Sequence, residues 1–377
     1  MLISLGLLSD AYIFHRYINT TSVWRWLWWL PMIVIVGFFV KFLFFNSGWA
    51  EEYGTTNIFL LIMVLCCIPK MIFSLFDLII PKVGTYIGLF LALGVVYIVL
   101  YGVTYGFSQI KVRHVTYESE NVPHAFDGYR IAQFSDLHIG SFYGPYKHLL
   151  KETVDTLNSL NADLICFVGD IENFIPDELS PHKEELASLH AKDGVMTIMG
   201  NHDYSSYVKV TERERAEMVR NTRAMQRSFG WDLLENEHRV IHRGNDSIYV
   251  VGEENWGKPP FPQYGDLNKA LNGVDTSLFS IMLSHDPTAW KMHILPLFRP
   301  NITLSGHTHG TQFSIFGWSP SSMVYKEWGG TYYDGDKNAA NPCMLHVSTG
   351  IGGNFPFRFG MPREIVLITI KHKKKMK

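Results

Sequence analysis

The sequence predicts an all-α transmembrane region over residues 1–110, a linker over residues 111–127 and an α/β domain over residues 128–377. Two observations lead to this division. Long apolar runs fill the first third of the chain, and in the remainder short apolar runs alternate with helical stretches. At 377 residues, the chain has room for both a membrane region and a domain with a sizeable core.

Three runs in the first region are long enough to cross a membrane as helices: residues 24–45, 58–80 and 83–110. A hydrocarbon core of about 30 Å requires around 20 helical residues. The last run has no charged side chain and is apolar on every face, which argues against a soluble helical bundle. The opening run, Leu2 to Ile18, is shorter and contains Asp10 and His15, so the sequence is compatible with three or four membrane helices.

Charges between these runs predict the orientation of the chain in the membrane. Basic residues lie in the first and third connections and acidic residues in the second: Arg16, Arg25, Lys82, Glu51 and Glu52. The positive-inside rule then places the C-terminal domain outside the cytoplasm. Lys111, Arg113 and the basic tail over residues 371–377 could instead lie against an anionic inner leaflet, although a solvated terminus is the preferred interpretation of the tail. If the opening run does not cross, the parity of the crossings changes, and the predicted side with it.

Two charged residues, Lys70 and Asp77, lie inside one of the apolar runs, seven residues apart and so near one helix face. Charges within a membrane are costly and often functional. Two structural interpretations are preferred here. The residues form a structural pair inside the bundle, or Lys70 extends its side chain towards the interface while Asp77 sits at a helix end.

The second region contains five short apolar runs that are typical of buried strands: Tyr129 to Phe134, Leu164 to Val168, Val195 to Met199, Phe279 to Leu283 and Ile302 to Leu304. Helical stretches are predicted over Tyr146 to Leu160 and Thr211 to Phe229. The second stretch begins with a capping box formed by Thr211 and Glu214. The four cysteines have no metal-type spacing and imply no disulfide framework.

Each predicted strand ends at a motif rich in histidine or aspartate: Asp136-Leu137-His138, Gly169-Asp170, Gly200-Asn201-His202-Asp203, His285 and Gly306-His307-Thr308-His309. Any one motif could be an ordinary turn, but five ordinary turns would have to fall by coincidence at five strand ends, which argues for a common site. The carboxyl ends of parallel strands meet at one edge of a sheet, so these side chains should converge. Imidazoles and carboxylates suit Zn, Fe or Mn, and two such ions about 3.5–4 Å apart can hydrolyse phosphate esters.

The motif set resembles that of the calcineurin-like metallophosphoesterases. The stretches Leu283 to Pro287, Leu304 to Gly310 and Glu364 to Leu367 resemble the membrane-anchored bacterial branch of that superfamily. The resemblance extends from about Tyr129 to the C-terminus. It implies a four-layer α/β/β/α sandwich, a metal-dependent phosphoesterase activity and a bacterial inner-membrane location; together with the positive-inside rule, this predicts a catalytic domain on the periplasmic side.

The resemblance also implies a role for each motif residue. One metal ion would be held by Asp136, His138, Asp170 and His309, and the other by Asp170, Asn201, His285 and His307. Asp170 would bridge the two ions, because a carboxylate can bind two cations at once. His202 would be the general acid for the leaving oxygen, and activated water would attack phosphorus in line. Many relatives have Gly-Asp-x-x-Asp, whereas this chain has Asn173 at the last position, so Asn173 is predicted to orient His202 through its side-chain amide. Glu172 could compensate for the missing carboxylate.

Three functions remain open on sequence alone. The favoured function is hydrolysis of a phosphate ester or pyrophosphate bond in a lipid-linked or envelope substrate. An aromatic stretch after the last metal motif could line an apolar groove or could be a packed surface loop; it comprises Phe313, Phe316, Trp318, Tyr325, Trp328, Tyr332 and Tyr333.

The second function is that of a nuclease or cyclic-nucleotide phosphodiesterase. Nucleic acid is a poor expected partner because basic residues are confined to the tail and to one helix with interspersed acids. The third is a non-catalytic membrane sensor, and the intact ligand set argues against it. The sequence does not indicate an oligomeric state.

Overall fold

The computed structural model describes residues 1–18, 21–44 and 53–374. It divides into two compact units, Met1–Tyr105 and Gly106–Lys377. The first unit contains α1 (Leu2–Tyr17), α2 (Leu30–Phe44), α3 (Tyr53–Ile79) and α4 (Gly84–Tyr101). Within the described residues, three helical stretches are long and apolar enough to cross a membrane: Val23–Lys41, Gly54–Ile79 and Gly84–Gly106. The opening helix α1 is not among them. The acidic pair at residues 51 and 52 lies outside the described residues.

Both charged residues of α3 pair with α1 and not with each other. The Lys70 ammonium lies 2.7 Å from a carboxylate oxygen of Asp10. Asp77 accepts a hydrogen bond from the Tyr12 hydroxyl at 2.6 Å and lies 2.9 Å from Nε of Arg16. Asp10 and Asp77 are both buried. These contacts fit a structural role, since an apolar environment makes an unpaired charge costly and a paired one tolerable.

The second unit contains two six-stranded sheets. The first has the strand order β1 (Ile110–Ser119), β12 (Arg363–His372), β2 (Arg130–Phe134), β3 (Leu164–Phe167), β4 (Val195–Thr197) and β5 (Asp232–Leu233). The second has the order β10 (Gly330–Asp334), β11 (Cys343–Val347), β9 (Ile302–Ser305), β8 (Ser280–Leu283), β7 (Asp246–Gly252) and β6 (Glu237–Arg243). The five predicted strands are confirmed as β2, β3, β4, β8 and β9.

Helices cover the outer faces of the two sheets, as the sandwich predicted from the resemblance requires. They are α5 (Lys147–Ser159), α6 (Lys183–Ala187), α7 (Glu212–Ser228) and α8 (Leu267–Ala270). Alternate residues of β2 show the layering: Ala132 and Phe134 pack in the core beneath α5 and α6, and Ile131 packs in the core between the sheets. This alternation follows from the period of two along a strand. The Thr211 capping box forms at the start of α7 as predicted.

Residues 111–127 are not the linker that the sequence suggested. Most of them belong to β1, which pairs in parallel with β12 from Ile110 opposite Arg363 to Ser119 opposite His372. The basic C-terminal segment therefore begins inside a sheet, and residues 375–377 lie outside the described residues. The buried Arg363 guanidinium donates to the backbone oxygens of Phe107 and Ser108 at 3.0 and 2.9 Å. A charged segment that looks like a linker can thus be an edge strand, because its partner lies about 250 residues further along the chain.

This pairing changes where the second unit can be separated from the apolar helices of the first. A truncated protein beginning near Asn121, at the boundary suggested by sequence, would lose β1 and the fully buried side chain of Phe107. Removing a buried phenylalanine alone costs roughly 3–5 kcal/mol. We expect a protein beginning at Gly106 to be soluble with a cooperative thermal transition, and one beginning at Asn121 to aggregate or melt far lower. Equal melting temperatures for the two proteins would contradict the role given to β1.

Candidate metal centre

The predicted ligands lie in turns that directly follow the strands, and the backbone of these turns is unusual. Five of the ligand residues have a positive φ angle: Asp136 (51°), His138 (41°), Asp170 (61°), His307 (73°) and His309 (53°). This left-handed region is uncommon for residues other than glycine, and such strain concentrates at functional sites. The turns therefore aim side chains inward at some cost in local backbone energy.

The first cluster joins four side chains from both sheets: Asp136, His138, Asp170 and His309. Their ligand atoms all lie within 4.8 Å of one another. The Nε2 atoms of His138 and His309 face each other at 3.1 Å. Nε2 of His309 is 3.3 Å from Asp136 Oδ1, and Nε2 of His138 is 3.7 Å from Asp170 Oδ2. Four converging donors of this kind can hold a divalent cation.

The second cluster shares Asp170 with the first and adds His285 and His307. Nε2 of His285 lies 3.1 Å from Asp170 Oδ2, and its Nδ1 donates to the backbone oxygen of Val168 at 2.7 Å. The amide oxygen of Asn201 is 2.7 Å from Nδ1 of His307. All seven side chains that the sequence singled out as ligands thus come together, with Asp170 common to both clusters.

Two glycines allow the ligand turns to approach so closely. A Cβ on Gly200 would lie 2.3 Å from Asp170 Oδ1, and one on Gly306 would lie 2.4 Å from Asp136 Oδ2. No side chain fits at such distances. Glycine at these positions therefore lets the carboxylates lie directly against the neighbouring backbone.

Burial keeps three of the imidazoles neutral. It lowers the pKa of His309 to about 4 and also lowers the pKa values of His138 and His307. For His285, burial lowers the pKa, but the Asp170 carboxylate outweighs it and raises the pKa to about 10. In the absence of metal, His285 and Asp170 therefore form a buried ion pair. Metal binding must displace that proton, so metal affinity should fall as the pH is lowered.

The donor set fits divalent metal ions on structural grounds. Nε2 of His285 is buried, and among the described residues its near partner is the carboxylate of Asp170, itself a candidate ligand, so a metal could replace the proton between them. The Nδ1–H of the same ring is held by a backbone carbonyl, the arrangement that orients ligating histidines. In His307 the roles are reversed. Its Nε2 contacts the Tyr325 hydroxyl at 2.9 Å, which leaves Nδ1 facing the site.

His202 lies beside the first cluster, but its partner is not the one that we predicted. Nδ1 of His202 is 2.6 Å from the backbone oxygen of Asn173. The Asn173 side chain points elsewhere: its Oδ1 accepts from the Gly140 amide at 2.7 Å and its Nδ2 donates to the Gly353 oxygen at 3.2 Å. The prediction of a side-chain contact was wrong, because Asn173 acts through its main chain. Glu172 does not compensate either, since its carboxylate is hydrogen-bonded to Ser205 and Thr222.

The revised geometry changes the expected effect of Asn173→Asp. The aspartate would lose the donor to Gly353 and would place an oxygen against that carbonyl, at a cost of about 1–3 kcal/mol in stability. The partner of His202 would be unchanged. We therefore expect a lower melting temperature and a basic limb of the pH–rate profile that moves by less than about half a unit. A basic limb that moves upward by a full unit would restore the side-chain role.

Several supporting residues were not assigned roles from the sequence. The buried Asp203 carboxylate accepts from the backbone amides of Gly200 and Asp170 at 2.8 and 3.0 Å, and so ties two ligand turns together. Asp203 is the last residue of the motif Gly200-Asn201-His202-Asp203, so its position in the sequence could have indicated a role at the site. The Tyr207 hydroxyl accepts from Asn201 Nδ2 at 2.7 Å, which turns the amide oxygen towards His307. No local pattern marks Tyr207 as that partner.

A buried arginine, Arg358, supports the backbone segment 349–352, which packs against Asp136 of the first cluster. Arg358 is fully buried and donates to the backbone oxygens of Thr349 and Gly352 at 3.0 and 2.7 Å. The Gly352 amide in turn donates to the Asp136 backbone oxygen at 2.8 Å. Burial lowers the pKa of Arg358 to about 9, so the group stays charged at neutral pH. No local pattern of residues indicates this role.

Comparisons with known proteins agree with this geometry. The calcineurin-like phosphoesterase family model matches residues 129–311. An uncharacterized metallophosphoesterase of Bacillus subtilis, YkuE, is 29% identical over 281 residues, covering 71% of this chain and 90% of its own length. The UDP-2,3-diacylglucosamine pyrophosphatase LpxG of Chlamydia trachomatis is 26% identical, covering 67% of this chain and 88% of its own length. A Danio rerio transmembrane protein with a metallophosphoesterase domain is 28% identical, with 72% of this chain and 60% of the relative covered. Residues 129–311 therefore form a calcineurin-like phosphoesterase domain, which supports a metal-dependent phosphoesterase, a hydrolase.

Proposed function

We propose that this protein is a membrane-anchored phosphoesterase that uses two divalent metal ions to cleave a phosphate ester or pyrophosphate bond in a lipid-linked substrate. One observation carries the proposal. Two ligand clusters that share Asp170 occur in the same chain as three helices long and apolar enough to cross a membrane. Mn, Fe or Zn suits the mixture of imidazole, carboxylate and amide ligands.

In the proposed mechanism, one ion would be held by Asp136, His138, Asp170 and His309, and the other by Asp170, Asn201, His285 and His307. When bound, the ions supply Lewis acidity and lower the pKa of water. The protein fixes the proton donor. Because the Asn173 carbonyl accepts from Nδ1 of His202, Nε2 is the nitrogen that can protonate the leaving oxygen. The His202 backbone amide donates to Asp170 Oδ1 at 2.8 Å and so couples the donor to the shared ligand.

Two observations favour a lipid-linked substrate over a nucleic acid. The name of LpxG describes a pyrophosphatase that acts on an acylated nucleotide sugar. Two of the five arginines of α7 are neutralised within the protein: Arg223 pairs with Glu235 and Glu254 at 2.7 and 2.5 Å, and Arg227 also pairs with Glu235. Binding to nucleic acid depends on cations that can reach phosphates.

We also propose that the catalytic unit faces the periplasm of a bacterial inner membrane. With the three candidate spans of the described residues counted, Arg16 precedes the first span and Lys82 lies between the second and the third. The expectation that the side changes without a crossing by α1 does not apply when the basic residues set the orientation, because the N-terminus then moves to the cytoplasm. Three crossings that keep both residues in the cytoplasm leave the catalytic unit outside, as four crossings do. Accessibility of a cysteine at the exposed Glu184 to an impermeant reagent in intact cells would test this side.

A hydrolysis screen of the detergent-solubilised protein with Mn, Zn and Fe tests the proposed activity. The panel contains a nitrophenyl monoester, a nitrophenyl diester, a cyclic nucleotide, single-stranded DNA and lipid pyrophosphates that include a nucleotide-linked acyl sugar. We expect the highest kcat/KM with a lipid pyrophosphate or lipid phosphate. A clear preference for the cyclic nucleotide or for DNA would contradict the substrate class. Metal content below two equivalents per chain, with no hydrolysis, would favour the non-catalytic sensor.

A further inference from the structure

The loop between β9 and β10 carries an exposed apolar hairpin next to the metal centre. Ile315 and Trp318 exchange two backbone hydrogen bonds of 3.0 Å, and Phe316 and Gly317 form the two-residue turn between them. Phe316 is fully solvent-exposed, and Met323 and Val324 nearby are 78% and 74% exposed. The twelve residues 313–324 contain no charged side chain.

The conformation of Phe316 is the second observation. Its φ angle is 50° and that of Gly317 is 81°, as in the hairpin turns that favour Asn-Gly or Asp-Gly. A bulky residue in this left-handed conformation is strained. An exposed phenylalanine recovers none of that cost by packing within the protein. Strain and exposure together at one residue indicate that the side chain has a partner outside the described fold.

Hydrogen bonds and a ring contact hold the hairpin against the turn that carries the candidate metal ligands. The Ser319 hydroxyl donates to the Gly310 oxygen at 2.6 Å, one residue after His309. The Ser314 amide donates to the Phe359 oxygen at 2.7 Å, and the rings of Phe313 and Phe359 stack at 5.6 Å. A surface that holds this hairpin therefore also fixes the position of the turn that bears His307 and His309.

We propose that the hairpin formed by residues 315–318, together with Met323 and Val324, inserts into the lipid bilayer that anchors the chain. The chain passes from the last apolar helical stretch, which ends at Gly106, into β1 at Ile110, so the catalytic unit stays tethered to a membrane. A tip of Phe316 and Trp318, followed by exposed Lys326, has the composition of an interfacial anchor, in which aromatic rings enter the headgroup layer and lysine meets lipid phosphates. Bilayer insertion would keep the ligand turn at the headgroups. That last consequence rests on the proposed function; insertion itself does not.

Lipid contact can be measured without any enzyme assay. The full chain carrying Phe316→Cys is labelled with an environment-sensitive fluorophore and reconstituted in vesicles of phosphatidylcholine and phosphatidylglycerol. Glu184→Cys, exposed on α6, is the matched control, and the unsubstituted protein measures labelling of the four native cysteines. We expect a nitroxide attached to lipid chains to quench the label at 316 and not at 184, and aqueous iodide to quench the label at 184 more strongly. Iodide quenching at 316 equal to that at 184 overturns the proposal. Protection from both quenchers also overturns it, because it indicates a protein contact such as a second copy.

A second variant separates insertion from packing. Phe316→Asn places a residue that tolerates positive φ in the same turn. Its melting temperature in detergent should be unchanged or raised by about 2 °C. A label at Met323→Cys should then lose much of its lipid quenching in the Phe316→Asn background. A lowered melting temperature would mean that Phe316 packs within the protein, and unchanged lipid quenching at 323 would mean that Phe316 does not anchor the loop; either result overturns the proposal. Because neither readout uses hydrolysis, failure of insertion and failure of the proposed activity are distinguishable.

Discussion

Asp170→Asn is expected to abolish both metal binding and hydrolysis. Asp170 is the one side chain common to the two ligand clusters, and its Oδ2 lies 3.1 Å from Nε2 of His285 and 3.7 Å from Nε2 of His138. The amide keeps the shape of the carboxylate and can still accept from the His202 backbone amide, but it carries no charge to share between two cations. We therefore expect a folded protein with less than one metal equivalent and no hydrolysis above background.

Metal content per chain and hydrolysis of a nitrophenyl ester measure this effect together. Asp155→Asn is the matched control, because Asp155 is exposed on α5 and, among the described residues, forms its ion pair with Lys151 at 2.7 Å. Such a surface pair contributes little to stability. The control should keep two metal equivalents and full activity. Two equivalents of metal bound to Asp170→Asn would show that Asp170 does not bridge the site.

His202→Gln is expected to keep the metals and to slow hydrolysis by roughly 10²–10⁴-fold, the usual contribution of a positioned proton donor. His202 touches Asp170 only through its backbone amide, so the ligand clusters should survive the change. The loss should be largest for substrates with poor leaving groups, because these depend most on protonation.

The comparison needs a histidine outside the site. His190 is exposed, and its ring nitrogen lies 3.1 Å from the Ser188 oxygen, while its backbone amide donates to Asn158, a contact that the substitution keeps. His190→Gln should therefore leave both rate and metal content unchanged. Rates for a nitrophenyl ester and an alkyl ester, measured on metal-analysed samples, separate the two roles of His202. Loss of metal in His202→Gln, or an equal rate loss for good and poor leaving groups, would contradict its role as general acid.

The structure differs from the sequence-based predictions in three places, and the physical cause is the same in each. Asn173 was matched to His202 by its place in a motif, but the contact is made by a backbone oxygen that every residue type offers. Lys70 and Asp77 were considered as partners of each other, yet each pairs with α1, some sixty residues earlier. β1 was taken as a linker because its partner strand lies at the far end of the chain. In each case the deciding contact is long-range, and local sequence patterns do not encode such pairings.

The sequence by itself determined the α/β class, the apolar helices and the set of residues that converge. Those features are local. The spacing of apolar residues along a short segment indicates a strand or a helix, and a ligand that follows a strand in sequence lies at the end of that strand. Only the tertiary structure decided how these parts work together. Asp203 ties the ligand turns, Tyr207 orients Asn201, and Arg358 supports the wall behind Asp136. Asp203 joins the turns after the neighbouring strands β3 and β4, and the amide that Tyr207 orients meets His307 from the other sheet, so these contacts form only after the strands pair and the two sheets pack together.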